Sequence, residues 1–115
     1  MVEESKMPKI DLNPHEWAEM KRILKTHVPQ YEVWAFGSRV EWTAKEYSDL
    51  DLVVMTNELM SLSAMADLKE AFDESDMTIK VDVLDWASLS ENFRNIIKRK
   101  YLVIQKTDED HVTNK

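Results

Sequence analysis

The chain contains one glycine, so any position where the backbone must do what only a residue without a Cβ can do has to be Gly37. It ends a short aromatic and β-branched run, Tyr31 to Phe36, which reads as a strand. A strand ending in Gly37-Ser38 presents backbone amides and a hydroxyl at its C-terminal end. Ten residues follow Ser38; helix formers with aromatic interruptions from Arg39 to Tyr47 predict a short helix or turn. Asp49-Leu50-Asp51 then opens a second apolar run ending at Met55. As a strand it places Asp49, Asp51, Val53 and Met55 on one face and Leu50, Leu52 and Val54 on the other. The two carboxylates therefore point the same way.

The rest of the chain supplies helices and at least one more strand. Asn13-Pro14-His15-Glu16 carries an N-cap, a proline for the first turn and a glutamate after it. Trp17, Met20, Ile23, Leu24 and Val28 then recur at helical spacing until Pro29. Leu59 to Phe72 repeats as a second long helix, with Ser61 or Ser63 as cap. Ile79 to Leu84 alternates at period two and predicts a third strand with Lys80, Asp82 and Leu84 on one face. Asp85 or Ser88 is expected to start a last helix through Leu89, Phe93, Ile96, Ile97 and Tyr101, and Val103-Ile104 to form a final short strand. Helices alternating with strands predict an α/β (α+β) protein, a small mixed sheet flanked by helices. The expected organisation is a flexible lead-in over 1–12, a single domain over 13–106 and a polar tail over 107–115.

Composition narrows the function classes. At 115 residues there is room for one compact domain. No cysteine is present, which excludes disulfides, thiolate metal sites and a cysteine nucleophile, and fits a cytoplasmic protein. No signal peptide or membrane span is seen. A net charge of −7 argues against direct nucleic-acid binding and favours a protein partner, or a small polyanion delivered with metal ions.

Aspartate is depleted in strands, and a half-buried one is unfavourable unless it is paired or meets a cation. If the strands carrying them are neighbours, Asp49, Asp51 and Asp82 converge on one point. Such an all-oxygen set selects Mg²⁺, which fills its remaining coordination with water and phosphate oxygens. Asp85 is the alternative third carboxylate, although period two turns it to the opposite face. Gly37 and Ser38 add an anion cradle at a helix start. Metal on one side and phosphate donors on the other describe a nucleoside triphosphate site. Asp49 and Asp51 are expected to hold two ions, while Asp82 completes the second ion's site and helps take the acceptor proton. Arg39 is read either as a phosphate contact or as a surface salt bridge, and Trp42 and Tyr47 as candidates to touch the base. His15, His27 and His111 lack metal-ligand spacing and are taken as structural or solvated.

Gly37-Ser38, ten residues, then Asp49-Leu50-Asp51 resembles the signature of the DNA polymerase beta-like nucleotidyltransferase superfamily, and Asp82 in Lys-Val-Asp-Val-Leu matches its third aspartate. With Ser48-Asp49-Leu50-Asp51-Leu52 and its small size, the chain looks like the minimal nucleotidyltransferase (MNT) antitoxins paired with HEPN ribonuclease toxins. The resemblance implies the polymerase beta-like fold, catalytic and metal-binding roles for Asp49, Asp51 and Asp82, and nucleotide contacts from Gly37, Ser38, Arg39, Lys45 and Ser48. It also implies two Mg²⁺ ions, ATP as substrate, and transfer of AMP to a tyrosine of a HEPN toxin within a hetero-oligomer. Where many relatives have a glycine and an arginine, this chain has Trp42 and Lys45, a point charge without the arginine fork. Neutralisation by binding alone, and a small-molecule acceptor as in aminoglycoside nucleotidyltransferases, are the competing functions.

Overall fold

A computed structural model describes residues 9–107. The elements run α1 (Pro14–His27), β1 (Glu32–Phe36), α2 (Ser38–Glu41), β2 (Leu50–Met55), α3 (Leu62–Asp73), β3 (Val81–Asp85), a single 3-10 turn (Trp86–Ser88), α4 (Glu91–Arg99) and β4 (Tyr101–Gln105). The strands form one mixed sheet in the order β3-β2-β1-β4. β1 is antiparallel to both β2 and β4, whereas β2 and β3 are parallel and joined through α3.

Local signals account for most boundaries. Asn13 caps α1, its Oδ1 accepting the Glu16 amide at 2.8 Å, and Pro14 needs no partner in the first turn. Ser61, one of the two expected caps, accepts from the Ala64 amide at 3.0 Å, so α3 starts at Leu62. Leu59, 66% exposed, falls outside the helix predicted to include it. The last helix starts later than expected: Ser90 caps α4, accepting from Phe93 at 3.1 Å, and Asp85 caps the preceding 3-10 turn. Tyr101, expected on that helix, begins β4. Its backbone pairs with Phe36, which a helical turn would forbid.

One sheet face makes the main core. Val33, Ala35, Leu50, Leu52, Val54 and Val83 pack with Met20, Ile23 and Leu24 of α1, with Val28 at its C-cap, and with Leu68 and Phe72 of α3. Each fully buried aliphatic of this kind stabilises by roughly 1.5–3 kcal/mol, so the register of β2 is strongly specified. The expected lead-in contributes too: Ile10 is buried in the same cluster, and the Asp11 amide donates to Arg39 O at 2.8 Å. The expected lead-in residues 1–8 and the tail beyond Thr107, with His111, lie outside the described residues.

The other face carries Trp34, Phe36, Asp51, Val53, Asp82 and Leu84 in register. There α4 sets Phe93 edge-on to Phe36, ring centroids 6.0 Å apart, while Trp34 stacks on Tyr101 and meets Trp86 edge-on. Trp34 and Trp86 thus pack against one another. Among the described residues no helix is long and apolar enough to cross a membrane.

Candidate active site

The site is assembled at one end of the sheet, where β1 finishes and β2 begins. Phe36 pairs with Asp51 and Asp51 pairs with Asp82, so these three share a face in one row across β1, β2 and β3. Neighbouring strands are ~4.8 Å apart, which holds the two aspartates side by side. Asp49 lies just before β2, two residues from Asp51. No described ion pair or hydrogen bond neutralises any of the three. The consequence appears at Asp51, whose carboxyl is pushed up from 3.8 to about 6, first by burial and then by the charges of Asp82 and Asp49. Asp51 and Asp49 are half-buried and Asp82 is exposed.

Gly37 is required twice over. Its φ of +85° is a conformation that L side chains rarely adopt, and a Cβ built there would lie 3.3 Å from Asp51 Cγ and closer still to Oδ2. The missing methyl leaves room for Asp51 against the turn. Gly37 caps α2, accepting the Val40 and Glu41 amides at 3.0 Å. The first amides of α2 have no acceptor within the helix, and Ser38 stands among them.

Two other sequence candidates are engaged elsewhere. Arg39 is buried, and its guanidinium donates to the carbonyls of Asp11, Glu46 and Ser48. Those bonds engage all three nitrogens, and among the described residues no ion pair to Arg39 is found, so the expected surface salt bridge is not its arrangement here. The Ser48 hydroxyl accepts the Lys45 amide at 2.8 Å and closes the loop. The Lys45 side chain is exposed, as are Tyr47 at 83% and Trp42 at 40%. Asp85 is excluded from the row. It is buried on the core face, where it accepts from the Thr56 hydroxyl and, at 2.7 Å, from the Met60 amide. No sequence signal marked the carbonyls that hold Arg39, because every residue has one.

Among the described residues no three His, Asp or Glu side chains are close enough to enclose a metal ion alone. Asp51 nevertheless feels both other charges, because Coulombic interaction reaches beyond the ~2.1 Å of a Mg²⁺–oxygen bond. The residues fit a hard cation that takes its remaining ligands from phosphate and water: all donors are oxygens, and Gly37 leaves Asp51 unobstructed. A groove of about 630 Å³ between α1 and β4, walled by Lys21, Lys25 and Gln105, contains none of these aspartates.

Residues 18–110 match the family described as polymerase beta, nucleotidyltransferase. The chain belongs to that family. Over 100 residues this nucleotidyltransferase is 51% identical to a probable protein adenylyltransferase MntA of Haemophilus influenzae, covering 87% of this chain and 88% of that protein. In fold it resembles a toxin-antitoxin crystallised with AMP-PNP (TM-score 0.67, 21% identity, 82% of this chain and 76% of the other). It also resembles a chain from the complex of a tri-AMPylated Shewanella oneidensis HEPN toxin with MNT antitoxin (TM-score 0.59, 19% identity, 86% and 76%).

Proposed function

We propose that this nucleotidyltransferase is an antitoxin that transfers AMP from ATP to a tyrosine hydroxyl of a partner HEPN ribonuclease toxin and thereby silences it. The observation that carries the reading is the unneutralised row of Asp51 and Asp82, with Asp49 beside it, facing Gly37-Ser38. The likeness to an adenylyltransferase over 87% of the chain supports the acceptor class.

In this reading the first two α2 amides, of Ser38 and Arg39, and the Ser38 hydroxyl bind triphosphate oxygens and orient the α-phosphorus. Asp49, Asp51 and Asp82 would hold two Mg²⁺ ions, which supply charge neutralisation on the triphosphate and a lowered pKa for the acceptor hydroxyl. Asp82, the most exposed of the three, takes the tyrosine proton at a carboxylate oxygen. A bond forms between the tyrosine oxygen and the α-phosphorus, the bond to the β-phosphate's bridging oxygen breaks, and pyrophosphate leaves. The acceptor comes from the partner protein, since a single small domain leaves little enclosure for a second small substrate.

The test incubates the protein with Mg-ATP and the product of the adjacent gene and weighs that product by mass spectrometry. Addition of one or more AMP groups to tyrosine is expected, with loss of ribonuclease activity. Neutralisation without any added nucleotide would replace the enzymatic reading with neutralisation by binding.

A further inference from the structure

We propose that Arg39 is a positioning residue for this reaction: its buried guanidinium clamps the loop between Gly37-Ser38 and Asp49 and so sets where Asp49 stands. This rests on the transferase reading above. Arg39 is only 7% exposed. A buried arginine is ordinarily paired with an acid, yet no ion pair to Arg39 is found among the described residues. It is committed to backbone carbonyls instead. Nε and Nη2 converge on Ser48 O at 3.1 and 3.0 Å, Nη2 also reaches Glu46 O at 3.2 Å, and Nη1 holds Asp11 O at 2.9 Å.

The position of these bonds gives them their function. Ser48 O belongs to the peptide group that leads into Asp49, so two donors on that oxygen fix the peptide plane from which the Asp49 side chain departs. On the far side of Asp49, the Leu50 amide is held by Lys80 O at 2.9 Å as β2 pairs with β3. Asp49 is thus bracketed by two anchors, one from the sheet and one from Arg39. The third direction ties the loop to the chain before α1, where the Asp11 amide in turn donates to Arg39 O at 2.8 Å. Three carbonyl directions need the planar fork of arginine; the point charge of lysine satisfies them poorly.

The test uses the full-length Arg39→Lys protein, with Ser48→Ala as a second variant that removes only the Lys45 amide bond within the same loop. Amide hydrogen exchange of residues 45–50 is expected to quicken by about tenfold or more in Arg39→Lys while α1 and α3 exchange as before. AMP transfer to the toxin is expected to show kcat lowered ~10- to ~100-fold, KM for ATP within about twofold, and a higher Mg²⁺ requirement. Ser48→Ala shows the same pattern, smaller. Unchanged exchange and unchanged kcat in Arg39→Lys would overturn the clamp. A large rise in KM for ATP with kcat kept would also overturn it, since that identifies a phosphate ligand. If Arg39→Lys does not fold, Arg39→Gln, which loses the charged fork, takes its place, and wild-type kcat and wild-type exchange of residues 45–50 in it overturn the proposal. The exchange measurement is independent of activity: a wild-type protein that transfers nothing defeats the transferase reading, while faster loop exchange in Arg39→Lys still supports the clamp.

Discussion

Replacing Asp51 with asparagine should separate what the site does to the fold from what it does chemically. Asp51 has its folded-state pKa raised from 3.8 to about 6 by burial and by two neighbouring aspartates. A raised carboxylate pKa gives stability that is fully present below the ordinary value and lost as pH rises through the folded one, so at pH 7.5 it is gone. At about 1.4 kcal/mol per pH unit the displacement corresponds to ~3 kcal/mol. The carboxyl is only half-buried, and solvent screening reduces this to ~1 kcal/mol. Asp51→Asn removes the charge without changing the shape. It is therefore expected to melt ~4 °C above the wild type at pH 7.5 in EDTA, and at the same temperature as the wild type near pH 4. Excess Mg²⁺ should raise the wild-type melting temperature and leave the variant unmoved. Transfer of AMP should fall by about a thousandfold or more. Circular dichroism melts at the two pH values, with mass spectrometry of the toxin, read all of this. A variant less stable than wild type at pH 7.5, or equally stabilised at both pH values, would refute the crowding of the three carboxylates.

Four further perturbations test the site and the scaffold around it. Gly37→Ala should destabilise by ~1–3 kcal/mol, from strain at positive φ and collision with Asp51, and should cut transfer by about a hundredfold or more; melting and labelling measure the two parts. Asp82→Asn is expected to leave the melting temperature within a few degrees while abolishing transfer. Asp85→Ala should do the reverse, losing ~2–3 kcal/mol in urea titration because the Met60 amide and Thr56 hydroxyl lose their acceptor, with kcat of the folded fraction retained. Ser61→Ala should remove ~1 kcal/mol by uncapping α3 and leave transfer unchanged, which urea titration and the labelling assay check together.

Where a feature depends on residues close in sequence, the sequence revealed it. Asn13 and Ser61 cap as expected because a cap needs only an amide two or three residues on. Period two on β2 put Asp51 opposite Leu50 and Leu52, and those two leucines are fully buried on the core face. The same rule turned Asp85 away from Asp82, and Asp85 is buried among core-face groups. The misplaced boundaries are those where two signals competed. Asp85 and Ser88 both offered helix starts, and a 3-10 turn absorbed them before Ser90 capped α4. Tyr101 continued the helical spacing of Ile97 but was taken into β4 by pairing with Phe36.

The sequence by itself determined that a sole glycine ends one strand, that one aspartate faces away from the core on the next with a second just before it, and that a third waits on another strand. Those are properties of spacing, and spacing is read along the chain. Only the tertiary structure decided that β3 lies parallel beside β2 with Asp82 level with Asp51, that Ile10 belongs to the core, and that the Arg39 guanidinium donates to the carbonyls of Asp11, Glu46 and Ser48. Strand neighbours and backbone acceptors are chosen by long-range pairing, and a carbonyl oxygen carries no residue identity from which that choice could be read.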